Sequence, residues 1–489
     1  QRDEGSLAMG RHLLGGLALG LCTPSFALGQ ALTSPNVGTG LSGSATVDPA
    51  AVHWNPALVG YLDRPTLLVG GSLIAGDIEY RRERRATYQR TDSLGFALPI
   101  PPENIDRTRT GFAPSVTANP IAAAPTLFAT IPIARPGGTR LVAGLGVYSP
   151  FAALLAFDPE GAQKWQLQSA TIVTVFVTPT LTWRVSEAFS IGAGVSYVFG
   201  FAELARVQDF ATLGDVGAAL ARPPINQRND FGPSAPPGVR ELDVLARPIR
   251  LRRMYAHGVS FNVGVASEPV KGLRVGLSYQ HTTEMTFAGS FELDLNDPFF
   301  TRDLASQGLR YPPRVEGEAT LSFPLPRAFR AGVSWDVTPR LGFGVTGDYV
   351  TWSQVERFDG RVRSAQLAQP ALGLADTTQL SLPRRWRDTI AVEGTVRIGV
   401  TERLLVWATG GYHSSASPDE TIDVASPDGD RIVAAAGARL RLGERWALYG
   451  DVEVQTIVPR TVTASDYDMG NGEYRLTLVN LGAHVQRTF

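Results

Sequence analysis

Phe189-Ser-Ile-Gly-Ala-Gly-Val-Ser-Tyr-Val-Phe-Gly-Phe-Ala202 alternates with a period of two. Phe189, Ile191, Ala193, Val195, Tyr197, Phe199 and Phe201 fall on one face; Ser190, Gly192, Gly194, Ser196, Val198, Gly200 and Ala202 fall on the other. Side chains of a strand point alternately to its two sides, so this run reads as a strand with one apolar face and one face of small residues. The pattern recurs. Leu273, Val275, Leu277 and Tyr279 oppose Arg274, Gly276, Ser278 and Gln280, and Ala331, Val333, Trp335 and Val337 oppose Arg330, Gly332, Ser334 and Asp336.

Counting such runs gives about fourteen, within the even-numbered range of outer-membrane barrels. The connections alternate in length. Short ones, such as 134–139, 185–188, 338–340 and 443–445, separate pairs of runs, whereas 81–124, 206–249, 295–314, 359–382 and 414–429 are long and rich in Pro, Asp, Arg and Gly. Tight turns at one rim and long loops at the other mark a transmembrane barrel, whose closed ladder satisfies every backbone group without leaving an edge. A soluble propeller would show a blade repeat, and none is visible. The expected fold is therefore all-β, a transmembrane antiparallel barrel of about fourteen strands. Aromatic residues near strand ends, among them Tyr80, Trp183, Trp335, Trp352, Trp386, Trp407, Trp446 and Tyr474, are candidates for the membrane interfaces.

Composition agrees with this class. Charged residues make up 19% of the 489 residues and the net charge is -1, which argues against disorder and against a nucleic-acid partner. Lys164 and Lys271 are the only lysines. After the amino terminus no apolar run is long enough for a membrane helix. Near the start, Met9-Gly-Arg11-His12, the apolar stretch Leu13 to Leu21 and Ser25-Phe26-Ala27 read as a secretory signal over 1–27, with 1–8 as an upstream extension. The single cysteine, Cys22, lies within it, so the mature chain would hold no disulfide, CxxC or cysteine-ligated zinc.

Residues 36 to 66 are dominated by small residues and turn formers: Gly38, Gly40, Ser42, Gly43, Ser44 and Ala45, then Asp48 and Asn55, each preceding a proline. Alone this reads as a linker. The stretch Gly40-Leu-Ser-Gly-Ser-Ala-Thr-Val-Asp48-Pro-Ala-Ala-Val-His-Trp-Asn55-Pro56-Ala57-Leu58, however, resembles the hatch of the FadL/TodX (OMPP1) family of outer-membrane transporters. Tyr349-Val-Thr-Trp352-Ser353-Gln354 and Phe189 to Val198 are similar to strands of that family. The resemblance implies a signal at 1–27, a plug over 28–64 and a barrel over 65–489. It further implies passive uptake of long-chain fatty acids or aromatic hydrocarbons across the outer membrane of a Gram-negative bacterium. The protein would act as a monomer without a cofactor, in contact with outer-membrane lipid, after delivery by the barrel assembly machinery.

The same resemblance suggests residue roles. Gly43, Asp48, Asn55, Pro56 and Ala57 would form the gating part of the hatch. Gly144, Gly146, Ser149 and Pro150 would form a lateral opening in the third strand, because glycines weaken a ladder and Pro150 cannot donate to it; read from residues alone, Pro150 equally well ends the strand. After it, Phe151, Leu154, Leu155, Phe157 and Trp165 make one connection unusually apolar. They either form an exposed groove that captures a lipophilic molecule or fold inward to plug the mouth. Arg206 is similar in position to a basic residue that contacts the substrate head group, and Arg357 and Arg361 flank Asp359 where a second is expected.

His12, His53, His257, His281, His413 and His484 are too scattered for a metal site, and no P-loop, GxGxxG or GxSxG motif occurs. Asp466, Asp468, Asn471 and Glu473 depart from EF-hand spacing and read as a solvated turn rather than a calcium site. Two alternatives to the transporter are a general porin for small polar solutes, which has no need of an N-terminal plug, and an outer-membrane barrel enzyme, which would show a clustered acid, base or nucleophile at the outer rim. The terminal Phe489 resembles an assembly signal for barrels. Deleting it is expected to reduce outer-membrane insertion, read as the heat-shifted folded band in membrane fractions; normal insertion would remove that role.

Overall fold

The parity read from residues 189 to 202 decides which way each side chain faces. Ile191, Val195 and Tyr197 are exposed on the outer wall, whereas Ser190, Gly192, Gly194, Ser196 and Val198 are buried inside. The computed structural model describes residues 37–83, 88–91, 97–100, 115–134, 139–209, 246–297, 301–302, 310–368, 375–425, 427–465 and 470–489. The signal 1–27 with its extension 1–8, plug residues 28–36, and Asp466 and Asp468 lie outside the described residues.

The fourteen strands run in chain order around one antiparallel sheet. The first five are β1 (Thr66–Arg82), β2 (Ser115–Ala118 and Ile121–Ala134), β3 (Arg140–Tyr148 and Ala152–Ala156), β4 (Ser169–Arg184) and β5 (Phe189–Asp209). Next come β6 (Ala246–Val270), β7 (Leu273–His281 and Glu284–Asp294), β8 (Arg314–Pro324 and Ala328–Thr338) and β9 (Leu341–Val350 and Arg357–Arg363). The ring is completed by β10 (Thr377–Pro383 and Thr389–Gly399), β11 (Leu404–His413), β12 (Arg431–Leu442), β13 (Trp446–Ile457 and Arg460–Val462) and β14 (Gly472–Thr488). β14 closes onto β1, from Thr66 opposite Thr488 to Arg82 opposite Gly472. No sheet edge is left at this seam. β2 begins earlier than its alternation suggests, because Ala122, Ala123 and Ala124 carry no contrast between faces.

Of the aromatic residues expected at the membrane interfaces, Trp183, Trp335 and Trp446 are exposed on the outer wall. Tyr80, Trp352, Trp386, Trp407 and Tyr474 instead point inward and are buried.

Residues 37–62 lie inside the barrel, with α1 (Ala51–Trp54) followed by a 3-10 turn over Pro56–Tyr61. Wall side chains donate to its carbonyls: Thr182 Oγ1 to Pro56 O (2.6 Å), Ser190 Oγ to Ala57 O (2.8 Å), Asn262 Nδ2 to Val52 O (2.7 Å) and Ser278 Oγ to Trp54 O (2.6 Å). The glycines of the inner face admit this segment. A Cβ on Gly264 would stand 2.1 Å from Asn55 Oδ1, and one on Gly276 would stand 2.0 Å from Ser44 O. The small-residue faces of β5 to β8 are thus a seat for the segment. Gly276→Val leaves a good strand former in the wall but overpacks the seat, at a cost of roughly 1–3 kcal/mol. The barrel is expected to assemble with the segment displaced, read as raised planar-bilayer conductance; a wild-type trace would contradict the seat.

Candidate functional site

The third strand breaks where Pro150 stands. β3 pairs with β4 from Arg140 opposite Arg184 to Tyr148 opposite Phe176, and resumes with Ala152 opposite Val173. β3 therefore uses four steps where β4 uses three, a one-residue bulge at Ser149 to Phe151. Thr174 covers the break, its backbone N–H and its Oγ1 both donating to Phe151 O, at 2.9 and 2.8 Å. On the other side the β2–β3 ladder ends at Leu127 opposite Val147. Beyond it no described pair joins the outer halves of β2 and β3, and Pro125, which has no N–H to give, stands next to this end.

Gly144 and Gly146 shape the inner face here. A Cβ on Gly144 would lie 2.8 Å from Val52 Cγ2 of the lumenal segment, and one on Gly146 would lie 2.9 Å from the Phe128 ring. Ser149 is buried with its Oγ lacking a hydrogen-bond partner.

A chain of rings leads to this place from the outer mouth. Phe287 stacks on Phe323 (5.4 Å between centroids), followed by Phe358 (4.7 Å), Trp386 (5.8 Å), Trp352 (5.2 Å) and Phe151 (6.4 Å). From Phe151 it continues to Phe176 (6.1 Å), Tyr148 (5.8 Å) and His53 of the lumenal segment (4.8 Å), with Phe128 of β2 stacked on Tyr148 at 5.5 Å. Burial holds the His53 imidazole well below its ordinary range, with the charge of Arg330 adding to the shift, so the ring is neutral. The track is built mostly of apolar ring faces: the Tyr148 hydroxyl is matched by Thr178 Oγ1 at 3.0 Å, Trp352 Nε1, Trp386 Nε1 and His53 Nδ1 are buried without a hydrogen-bond partner, and the Arg384 guanidinium lies 4.8 Å from the Phe358 ring.

The apolar connection after Pro150 folds inward. Phe151, Leu155, Phe157 and Trp165 are buried and Leu154 is half-buried. The Arg82 guanidinium (5.4 Å) and the Lys164 ammonium (5.2 Å) both lie over the Trp165 ring. Gln166 Oε1 accepts from Val424 N–H (2.8 Å), which extends this connection across the mouth to the loop after β11. Of the two alternatives for these residues, the structure has the inward one.

In the lumenal segment, Asn55 joins three parts. Its Nδ2 donates to Ser44 O (3.2 Å) and Val265 O (3.1 Å), and its Oδ1 accepts from Ala57 N–H (3.1 Å). Asp48 accepts from Ser42 Oγ (2.6 Å) and Ala51 N–H (3.1 Å), and burial pushes its carboxyl up to about 6. Gly43 packs against Thr346 of β9.

The expected head-group arginines are not brought together. Arg357 and Arg361 lie on the outward parity of β9 and are exposed, and Arg357 is bound to Asp359 at 2.8 Å. Arg206 is half-buried on the outer part of β5, opposite Ile249. Two cations that lie against the lumenal segment are Arg184, over the Tyr61 ring at 4.4 Å, and Arg330, whose guanidinium lies 5.3 Å from the Trp54 ring, donates to Gln280 Oε1 (3.0 Å) and faces Asp348 at 3.8 Å. The signal of Arg330 in the sequence is a charge on the small-residue face of a strand. Phe489 donates its N–H to Pro65 O (2.9 Å), and the Arg487 guanidinium covers its ring at 4.5 Å.

Residues 23–485 match the description of the family Outer membrane protein transport protein (OMPP1/FadL/TodX). The long-chain fatty acid transport protein of Escherichia coli O6:H1 is 22% identical over 422 residues, covering 84% of this chain and 82% of that protein. Among solved structures, a Pseudomonas aeruginosa FadL homologue superposes with a TM-score of 0.68 at 20% identity, covering 94% of this chain and 99% of the other. The Ralstonia pickettii toluene transporter TbuX gives 0.59 at 15% identity, covering 95% and 99%. The chain belongs to the OMPP1/FadL/TodX family, β-barrel transport proteins of the Gram-negative outer membrane rather than enzymes.

Proposed function

We propose that this protein takes up hydrophobic molecules, long-chain fatty acids or aromatic hydrocarbons, passively through the outer membrane, with its lumenal segment acting as a hatch. The observation that carries this reading is the ring track, which ends on Tyr148 and His53 beside the point where the β2–β3 ladder stops. Relatives named as a long-chain fatty acid transport protein and a toluene transporter support the substrate class. Water in such a track finds few partners, so an apolar solute entering from the mouth replaces it favourably. At Tyr148 the solute meets His53, and a small retreat of α1 uncovers Gly144, on which Val52 rests. The exit then lies sideways, between the outer halves of β2 and β3. Binding and the downhill gradient supply the free energy. A general porin would have no use for a segment hydrogen-bonded across β4 to β7.

Uptake of labelled oleate and toluene by cells is the direct test. Asn55→Ala leaves Ser44, Val265 and Ala57 without their partner and is expected to raise leakage severalfold. Pro150→Val, which straightens β3, is expected to lower uptake of both compounds at least fivefold. Unchanged uptake in both variants would sink the gating.

Seating of the hatch is also expected to depend on pH. Because burial raises the Asp48 carboxyl from 3.8 to about 6, the seated form gains stability as pH falls below about 6. Hydrogen exchange over residues 37–62, corrected for intrinsic rates, should slow about tenfold from pH 8 to pH 5. Asp48→Asn should remove that dependence; a flat wild-type profile would contradict it.

A further inference from the structure

Well away around the barrel from the break in β3, the lipid-facing wall carries an open cavity of about 700 Å³ spanning β6 to β10. Its floor is a small cross-strand pair, Ala331 of β8 opposite Gly347 of β9. Large side chains rim it, with Phe329, Tyr349, Ile390 and Val392 all exposed. The volume falls within the range of pockets that hold small ligands. Everything around this face is hydrocarbon, so an acyl chain is the occupant at hand.

Depth and charge fix which lipid it is. Phe329 is nine residues from the turn at Thr338, roughly 23 Å across the bilayer for a strand of this rise and tilt. The rim therefore reaches the extracellular boundary of the apolar band, at the end where the long loops lie. Arg327 precedes Phe329 by two residues on the same outward parity and is exposed; Arg387, three residues before Ile390, is exposed too. Neither has a carboxylate partner among the described residues. Asp388, next to Arg387 in sequence, is engaged by the Tyr349 hydroxyl and by Ser353 N–H at 2.9 Å. Two unneutralised guanidiniums above an apolar cavity complement a phosphate above an acyl chain.

We propose that this cavity binds one phosphorylated glycolipid of the outer leaflet, of the lipid A type. An acyl chain lies across Ala331 and Gly347, and a phosphate rests on Arg327 and Arg387. Gly347 offers a clean test, because a Cβ there meets nothing nearer than 3.8 Å. Gly347→Leu therefore fills the cavity without disturbing the wall.

Purified, delipidated protein would be mixed with bis-phosphorylated lipid A, the same lipid without phosphates, or phosphatidylglycerol, and examined by native mass spectrometry. Wild type is expected to retain one lipid A, with at least tenfold weaker binding of the dephosphorylated form. Gly347→Leu and the pair Arg327→Gln/Arg387→Gln should each lose at least tenfold, while keeping the heat-shifted band of a folded barrel. Equal binding by wild type and both variants, equal binding of the dephosphorylated lipid, no retention, or preference for phosphatidylglycerol over lipid A would each overturn the proposal.

Discussion

A backbone in hydrocarbon has no water to bond, so every amide and carbonyl has to find its partner within the wall. The ring from β1 to β14 meets that demand, and the seam between the first and last strands is paired along all of β1. Closure also fixes which face looks inward. The β2–β3 ladder stops at Leu127 opposite Val147 among the described pairings, and there the lumen supplies substitutes. Thr174 caps Phe151, Tyr148 and Phe128 fill the inner side, and Val52 leans on Gly144. The gap in this ladder is lined by side chains of β2 to β4 and by the lumenal segment.

The lumen is uneven. Inner faces of β4 to β7 are small and tight, and they donate to carbonyls of the segment. Inner faces of β9 to β11 are polar and half-exposed, with Thr346, Glu393, Thr395, Thr409 and His413, and Glu393 bonded to His413 at 2.8 Å. The wall that forms the seat is one strand thick: Ser278 and Arg330 hold Trp54 from inside, and their neighbours Leu277 and Phe329 edge the lipid-facing cavity outside.

Strand number, closure and the facing of each strand were legible in the sequence because a membrane barrel writes them as period-two contrast. The contrast fails where both faces are alike. Ala122 to Ala124 hid the start of β2, and aromatic residues at strand ends gave no sign of side, so Trp352 and Trp386 look from sequence like interface anchors and turn out to belong to the ring track. Arg357 and Arg361 were placed by motif rather than parity, yet the alternation of Phe358, Gly360 and Val362 already turns them outward. Arg330 was visible as a charge on the inner face. Its partners Trp54 and Asp348 could not be read, because they come from the lumenal segment and the next strand.

The extra residue in β3 also sets a phase. Before it, Val142, Gly144, Gly146 and Tyr148 face inward; after it, Ala153 and Leu155 do. A one-residue shift moves every following side chain to the other face. Without the bulge the even-numbered positions would stay inside, and Leu155, with the phenylalanines at 151 and 157, would be aimed at lipid. Pro150 therefore sits at a change of parity. One residue sends the greasy side chains of the next segment to the interior, and pairing that residue into the ladder instead of bulging it would turn a lining into an outer coat.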